Sequence, residues 1–556
     1  MDIVEILQQL EPGNNNNNNT QALVGFVSEP AGRGTLSLLL SCLFTLALCV
    51  WSSVHLDLPE PDEGTIRYTW RYLKWSLLAV LGPELVVWAA WRQYISARSL
   101  MSKIRAAQAQ AQAQLTWSMT HSFYAGMGGF AIDIMDVNGA DSPFLPSPSP
   151  SPNRRLYFTA RGVQLLAECG LLPDIPAEEI KDKSKTDGGE KDLCCLQAGW
   201  MLVQVASRLA AGLPVTPLEI NTIGHVVCAL AIFVLWWHKP RWVREPTRLH
   251  GEWTRCMCAF MYMCSQMSDE TAGTATATGD IILRGFRERP EILSLVYYRD
   301  NPGESQSQSQ SQSQSYESGG GRSEGAAGFR LGASMRRARA LQVDSRTTTR
   351  SNKSESAYLA EALCIYPEMP QSARARAKAR TRTVTAVTAA AQGSPVTLAG
   401  EFRFRPQELI QDRPRDWPGD HLVHGVPGIY MGTTLWIMSM VFGAVHVAGW
   451  HDQFPSEFEA GMWRASSLYV VFAGLVWASI NLLAHLSGAV WWLWYDILAG
   501  RASRGRRIAI LSLCAVGGLP YVVARLFLVA EAFASLRALP VGAFLCPSWL
   551  LTVPHL

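Results

Sequence analysis

Seven side chains that can carry or exchange a proton stand where the surrounding sequence is apolar: Glu84, Arg208, His225, His446, His485, Arg525 and Glu531. An ionised group at the centre of a bilayer costs roughly 2.5–3.5 kcal/mol on insertion scales, so such residues face other helices and could line a polar path for an ion or solute. A transporter- or channel-like role is therefore the first expectation. It requires Glu84, Arg525 and Glu531 to converge inside the bundle. A discontinuous helix would add weight, and Gly517, Gly518 and Pro520 in ILSLCAVGGLPYVVARLFLVAEAF are placed to break one. The plainer reading of that stretch is a Gly-Pro kink with Arg525 and Glu531 near the interface, six residues apart and off any common helix face.

The alternative is a membrane-embedded enzyme built on a His/Glu cluster, which needs three or more ligating groups at one point. His421 and His424 have a metal-ligand spacing, but Pro and Gly flank them and no metallopeptidase pattern follows. His446 and His451 are five apart, and the Cys256, Cys258 and Cys264 group is too sparse for zinc. Phosphate-binding Gly loops and nucleophile elbows are absent from the sequence. It assigns no catalytic residue, no cofactor and no metal. A membrane scaffold whose loops bind partners is the third reading.

These residues need helices to position them. With 48% apolar residues, only 17% charged and 20 Trp, the composition fits a polytopic membrane protein better than a soluble enzyme. A net charge of +3 is too small to argue for nucleic acid. The twelve Cys are scattered and suggest no disulfide framework; Cys42, Cys49, Cys194, Cys195, Cys228 and Cys514 lie in or beside apolar blocks as small hydrophobes.

The clearest span is Ile220–His238, nineteen residues that reach about 28 Å and close on Trp236, Trp237 and the cations Lys239, Arg241, Arg244 and Arg248. Before it, residues 196–213 form the other arm of a hairpin turning at Pro214 and Pro217, with Arg208 snorkelling; the rival is a helix in the headgroup plane. Thr35–Trp51 and Trp75–Trp91 are the first two spans, the second kinked at Pro83 beside Glu84. Residues 428–450, 467–485 and 508–533 supply three more.

The fold class is thus all-α, a polytopic helical membrane bundle of about seven transmembrane helices, six as the alternative, with long disordered loops. Cytoplasmic arginine bias puts the N-terminus inside and the C-terminus outside. Both sequons, at Asn18 and Asn352, then stay unglycosylated. The chain divides into a polar segment (1–34), two spans (35–91), a polar loop with short amphipathic helices (92–195), the hairpin (196–238), a low-complexity, mostly disordered loop (239–426), three spans (427–534) and a tail (535–556). The lipid bilayer is the one partner implied. Basic runs such as ARARAKARTR (373–382) could contact anionic lipid, or be solvated chain. Protein partners, and which membrane, are not specified.

GPELVVWAAWRQ, FYAGMGGFAID, ARGVQLLAECGLLPDI, DKSKTDGGEKDLCCLQAGWMLVQ, LWWHKP and YVVARLFLVAEAFASLRALPVGAF resemble a large family of uncharacterised multi-pass membrane proteins of filamentous fungi. The resemblance implies a multi-pass fold, a membrane location and a fungal source. It brings no activity and no catalytic residues.

Overall fold

The computed structural model describes residues 23–28, 33–60, 63–111, 116–133, 155–184, 188–251, 409–411, 413–417, 428–487 and 504–545, with a few positions between 253 and 261 and at 489–490. The chain begins with β1 (Leu23–Val24) and α1 (Thr35–Ser53). Next come α2 (Thr65–Leu81) and α3 (Pro83–Ala111), then a small mixed region: α4 (Met119–Gly126), β2 (Phe130–Asp133), β3 (Arg155–Phe158), α5 (Ala160–Glu168) and α6 (Ala177–Lys183). A hairpin of α7 (Gly188–Ala210) and α8 (Pro217–Trp236) leads to β4 (Thr247–Arg248) and β5 (Ile410–Gln411). The last elements are α9 (Gly428–Val447), α10 (Glu457–Leu486), α11 (Arg504–Ala534) and β6 (Leu539–Pro540).

Six helices among the described residues are long and apolar enough to cross a membrane: α1, α7, α8, α9, α10 and α11. A seventh is reached only if α2 and α3 count as one span, and the two meet at an angle of 112°. Pro83 causes the break. The residue before a proline is excluded from the helical region, so Gly82 leaves the helix at φ −151°, and Pro83 then starts α3 as a favoured first helical residue. Tyr72, midway along α2, donates to the carbonyl of Trp51 at the end of α1 (2.9 Å), and Gln93 on α3 accepts from Lys239 just past α8 (2.9 Å). Both open ends of the α2–α3 pair therefore lie at one end of the bundle, and the break lies deep inside it. The expected second span at 75–91 is thus divided between two helices bent sharply at Gly82 and Pro83.

That end of the bundle carries a cap. Its sheet runs β4-β2-β3-β5, with β2 antiparallel to β3, β3 antiparallel to β5, and β4 parallel to β2. Tyr124, Phe130, Leu156, Phe158, Val163, Leu166, Met257 and Ile410 pack its core. A Cβ on Gly162 would stand 2.0 Å from the carbonyl oxygen of Leu409, so only glycine lets α5 approach β5. The bundle is helical, as expected, and the described residues 116–133 and 155–184 carry the two strands β2 and β3 beside their short helices. The apolar island at 253–264 contributes Met257, Cys258 and Met261 to the cap core.

At the opposite, distal end β1 pairs antiparallel with β6, Leu23 opposite Pro540 and Val24 opposite Leu539. The two flanks of the chain thus meet at one end of the bundle. An even number of crossings fits this pairing, whereas the expected seven would set the two flanks on opposite sides. The low-complexity repeats, His421, His424 and the basic run 373–382 lie outside the described residues.

Candidate functional site

The helix break creates the site. Cutting a helix frees carbonyls at the end of the first half and N–H groups at the start of the second, and each needs a partner when buried. Arg525 of α11 donates from Nε to the carbonyl of Leu81 (3.0 Å), and His225 of α8 lies 2.9 Å through Nε2 from the carbonyl of Val80. Glu84, in the first turn of α3, has its carboxylate at the positive end of that helix. Its Oε2 accepts from Arg525 Nη2 (3.1 Å) and its Oε1 from the Tyr521 hydroxyl (2.8 Å), which also meets Ser439 Oγ of α9 (2.9 Å). Glu84 and Arg525 are both 3% exposed. The guanidinium lies over the ring of Phe442, 3.5 Å from its centroid. Its remaining nitrogen, Nη1, has no hydrogen-bond partner among the described residues.

Polar side chains continue from this point toward the distal end. His225 Nδ1 meets the carbonyl of Asn221 (2.9 Å), and the Asn221 amide oxygen is 3.3 Å from Nε2 of His446 on α9. Trp463 of α10 donates to the carbonyl of His446 (3.0 Å). Toward the cap the surroundings turn apolar. Trp88, one turn beyond Glu84 and 1% exposed, packs with Trp417, which also touches Trp75, and with Leu435. Gln93 stands about 13 Å beyond Glu84 along α3, with Trp88 between the two.

The seven residues singled out from sequence therefore fall in several places. Glu84, Arg525, His225 and His446 form one connected group. Arg208 is buried at the distal end rather than snorkelling, donating to the carbonyls of Pro214, Gly542, Ala543 and Leu545. Glu531 is also buried, but its charged neighbours are Glu459 and Arg537, so it does not join Glu84. His485 is exposed in the last turn of α10. Sequence reasoning missed Tyr521, Ser439 and Asn221, whose neutral polar side chains carry no signal in an apolar run.

It also missed two buried charge centres at the bundle ends. At the distal end Glu219 caps α8 with Thr216 and pairs with Arg33 at 2.6 Å and with Arg208 at 3.9 Å. The Thr216-x-x-Glu219 box could have been read from sequence. At the cap end Lys239 donates to the carbonyl of His55, to Asp57 and to Gln93, all within 2.9 Å, and Asp57 in turn takes Asp416 onto its backbone N–H at 2.8 Å. Burial pushes the Asp57 carboxyl up to about 6 despite the pull of Lys239, and burial raises Asp416 likewise.

Asp452, just beyond the 3-10 turn after α9, offers a test of distal electrostatics. Burial first, and the Glu219 charge second, push its carboxyl up to about 7. The unfolded chain releases that proton near pH ~3.9, so stability falls as pH rises from there through about 7. Asp452→Asn removes this loss. In detergent the variant is expected to melt several degrees above the parent near pH ~8 and level with it near pH ~4; equal gains at both would mean that ionisation is not the cause.

Among the described residues, no three His, Cys, Asp or Glu come close enough together to hold a metal ion. A family model covers residues 6–278 and 429–556, which include Glu84, His225, Ser439, His446, Tyr521 and Arg525. The chain belongs to the family of unknown function DUF8562. The matched segments take in the bundle and most of the cap and leave out residues 279–428, which hold the Gln-Ser and basic runs. No curated protein and no solved structure matches the chain. The family fixes no activity, so function rests on the geometry.

Proposed function

We propose that this chain is an integral, multi-pass membrane protein that moves a small solute across the bilayer, with the re-entrant α2–α3 pair as its substrate-facing element. One observation carries the reading: a helix broken at Gly82 and Pro83 within the bundle, with Glu84 and Arg525 buried at the break. Discontinuous helices are how transporters present backbone and helix ends to a solute at mid-depth, and buried charge there is too costly to keep without a role or a partner. The outward faces support a lipid setting. Leu475, Leu486, Leu513, Val516, Leu519 and Val523 are exposed on α10 and α11, a larger apolar surface than a water-soluble protein leaves open. The polar trail on the distal side and the Trp88–Trp417 plug on the cap side correspond to a solute route closed toward the cap.

The enzyme alternative lacks a supporting constellation among the described residues. The test is osmotic: purified protein in liposomes, challenged with iso-osmotic panels of neutral, cationic and anionic solutes and followed by light scattering. Swelling with at least one solute, absent from protein-free liposomes, is expected. No swelling with any of them would sink the transport reading.

A further inference from the structure

Arg525 holds more hydrogen-bonding capacity than the protein uses. It is 3% exposed, its Nε is committed to the Leu81 carbonyl and its Nη2 to Glu84, yet Nη1 has no hydrogen-bond partner among the described residues. A buried guanidinium edge with one nitrogen free is an incomplete fork, and the group that completes such a fork is planar and anionic. It stands beside the first turn of α3, a helix of 29 residues whose positive end favours the same charge. From these two features, and resting on the transport reading, we infer that the solute is a small monocarboxylate, bound to Arg525 in place of Glu84 and carried together with one proton.

Charge balance supplies the proton. At rest Glu84 and Arg525 cancel. Adding an anion alone would leave the buried site with a net negative charge, which a low-dielectric interior resists strongly. If Glu84 takes up a proton from the distal solution, it becomes neutral, releases Nη2, and leaves Nη1 and Nη2 together for the arriving carboxylate. On release to the other side the carboxylate leaves, Glu84 gives up the proton and re-forms its pair with Arg525. No bond other than O–H forms or breaks, and one anion and one proton cross together. Among the described residues, the groups around the Glu84–Arg525 pair are Tyr521 from α11, His225 and Cys228 from α8, Ser439 and His446 from α9, and the Val80 and Leu81 carbonyls from α2. Both ring nitrogens of His225 meet carbonyl oxygens at 2.9 Å. A neutral ring donates to one of them.

The test uses radiolabelled pyruvate, which stays ionised and crosses lipid slowly, with full-length protein in liposomes. An inward acid gradient is expected to speed pyruvate uptake about fivefold or more. Glu84→Gln cannot take up the proton, so the pyruvate exchange it retains is expected not to respond to the gradient. Glu84→Gln/Arg525→Gln removes both charges without stranding either and is expected to abolish pyruvate exchange while the protein stays monodisperse. Swelling with a neutral or cationic solute but no pyruvate movement would overturn the carboxylate inference and leave transport standing. Pyruvate uptake that ignores the acid gradient, or that survives in the double variant, would also overturn it. Movement of no solute at all would overturn both.

Discussion

Arg525→Gln is expected to lower the stability of the detergent-solubilised protein by about 3–5 kcal/mol, the largest loss of any single substitution at the site, because it leaves the Glu84 carboxylate buried with only the Tyr521 hydroxyl as donor. Glu84→Gln is expected to be the milder single change. Arg525 would still donate to Leu81 and still lie over Phe442, so the stranded cation keeps two partners. Glu84→Gln/Arg525→Gln should recover most of the loss, since a neutral, hydrogen-bonding pair of similar volume replaces an ion pair whose desolvation cancels much of its attraction. The measurement is a double-mutant cycle by thermal unfolding, with size-exclusion profiles as a check on folding. Additive losses in the double variant would mean that the two side chains are not coupled, and the described pair would be wrong.

The same pair shows what the sequence could and could not reveal. Glu84 and Arg525 each stood out as a charge in an apolar run, and the α7–α8 hairpin was visible as two apolar stretches joined through Pro214 and Pro217. A kink at Pro83 was legible, but not that it would open into a full break while the second Gly-Pro stretch would not. Two stretches carry the same Gly and Pro signal, Gly82-Pro83 and Gly517-Gly518-Leu519-Pro520, and the second lies inside a continuous helix from Arg504 to Ala534. The difference is in the partners. At Gly82 the freed carbonyls meet His225 and Arg525, which lie 145 and 444 residues away in sequence. At Gly517 and Gly518 nothing comes within 4 Å of where a side chain would start, and the Tyr469 hydroxyl covers the Gly517 carbonyl at 2.9 Å. A local pattern marks where a helix can break, and distant residues decide whether it does.

The cap was hidden for a related reason. Its strands are two to four residues long, too short to show alternation, and β5 reaches β3 from the far side of the long low-complexity stretch. The structure shows what does fix α5 locally, the Thr159 side chain capping its start and Gly170 at φ +69° just past its end. Asp57, Lys239 and Asp416 were each visible as charges outside the spans, but the sequence does not say that they meet. Their meeting ties the end of α1, the end of α8 and the chain after the long insert into one junction between bundle and cap.

In cells, sugar is expected on Asn18 and none on Asn352. The strand pair β1–β6 puts the two flanks of the chain at the distal end, and one crossing by each of the six long apolar helices would return the chain to the face it started from. Basic residues then choose the side. Arg92, Arg98, Lys103, Arg105, Lys239, Arg241, Arg244 and Arg248 gather at the cap end, whereas the distal Arg33, Arg208 and Arg537 are engaged by Glu219, backbone carbonyls and Glu459. This bias predicts a cytoplasmic cap end, with the chain at Leu23 on the opposite side. Asn18 lies outside the described residues but only five positions before Leu23, and it heads an Asn-Asn-Thr acceptor. Asn352 belongs to the stretch between β4 and β5, which leaves from and returns to the cap. Expressed in a eukaryotic host, the protein is expected to shift on a gel after glycosidase treatment, to lose that shift in Asn18→Gln and to keep it in Asn352→Gln. An acceptor sequence appended after Leu556 should be modified as well. Sugar on Asn352 would place the cap outside and invert the bundle. Sugar on only one of the two termini would require an odd number of crossings, and α2–α3 would then have to traverse the membrane rather than turn back within it.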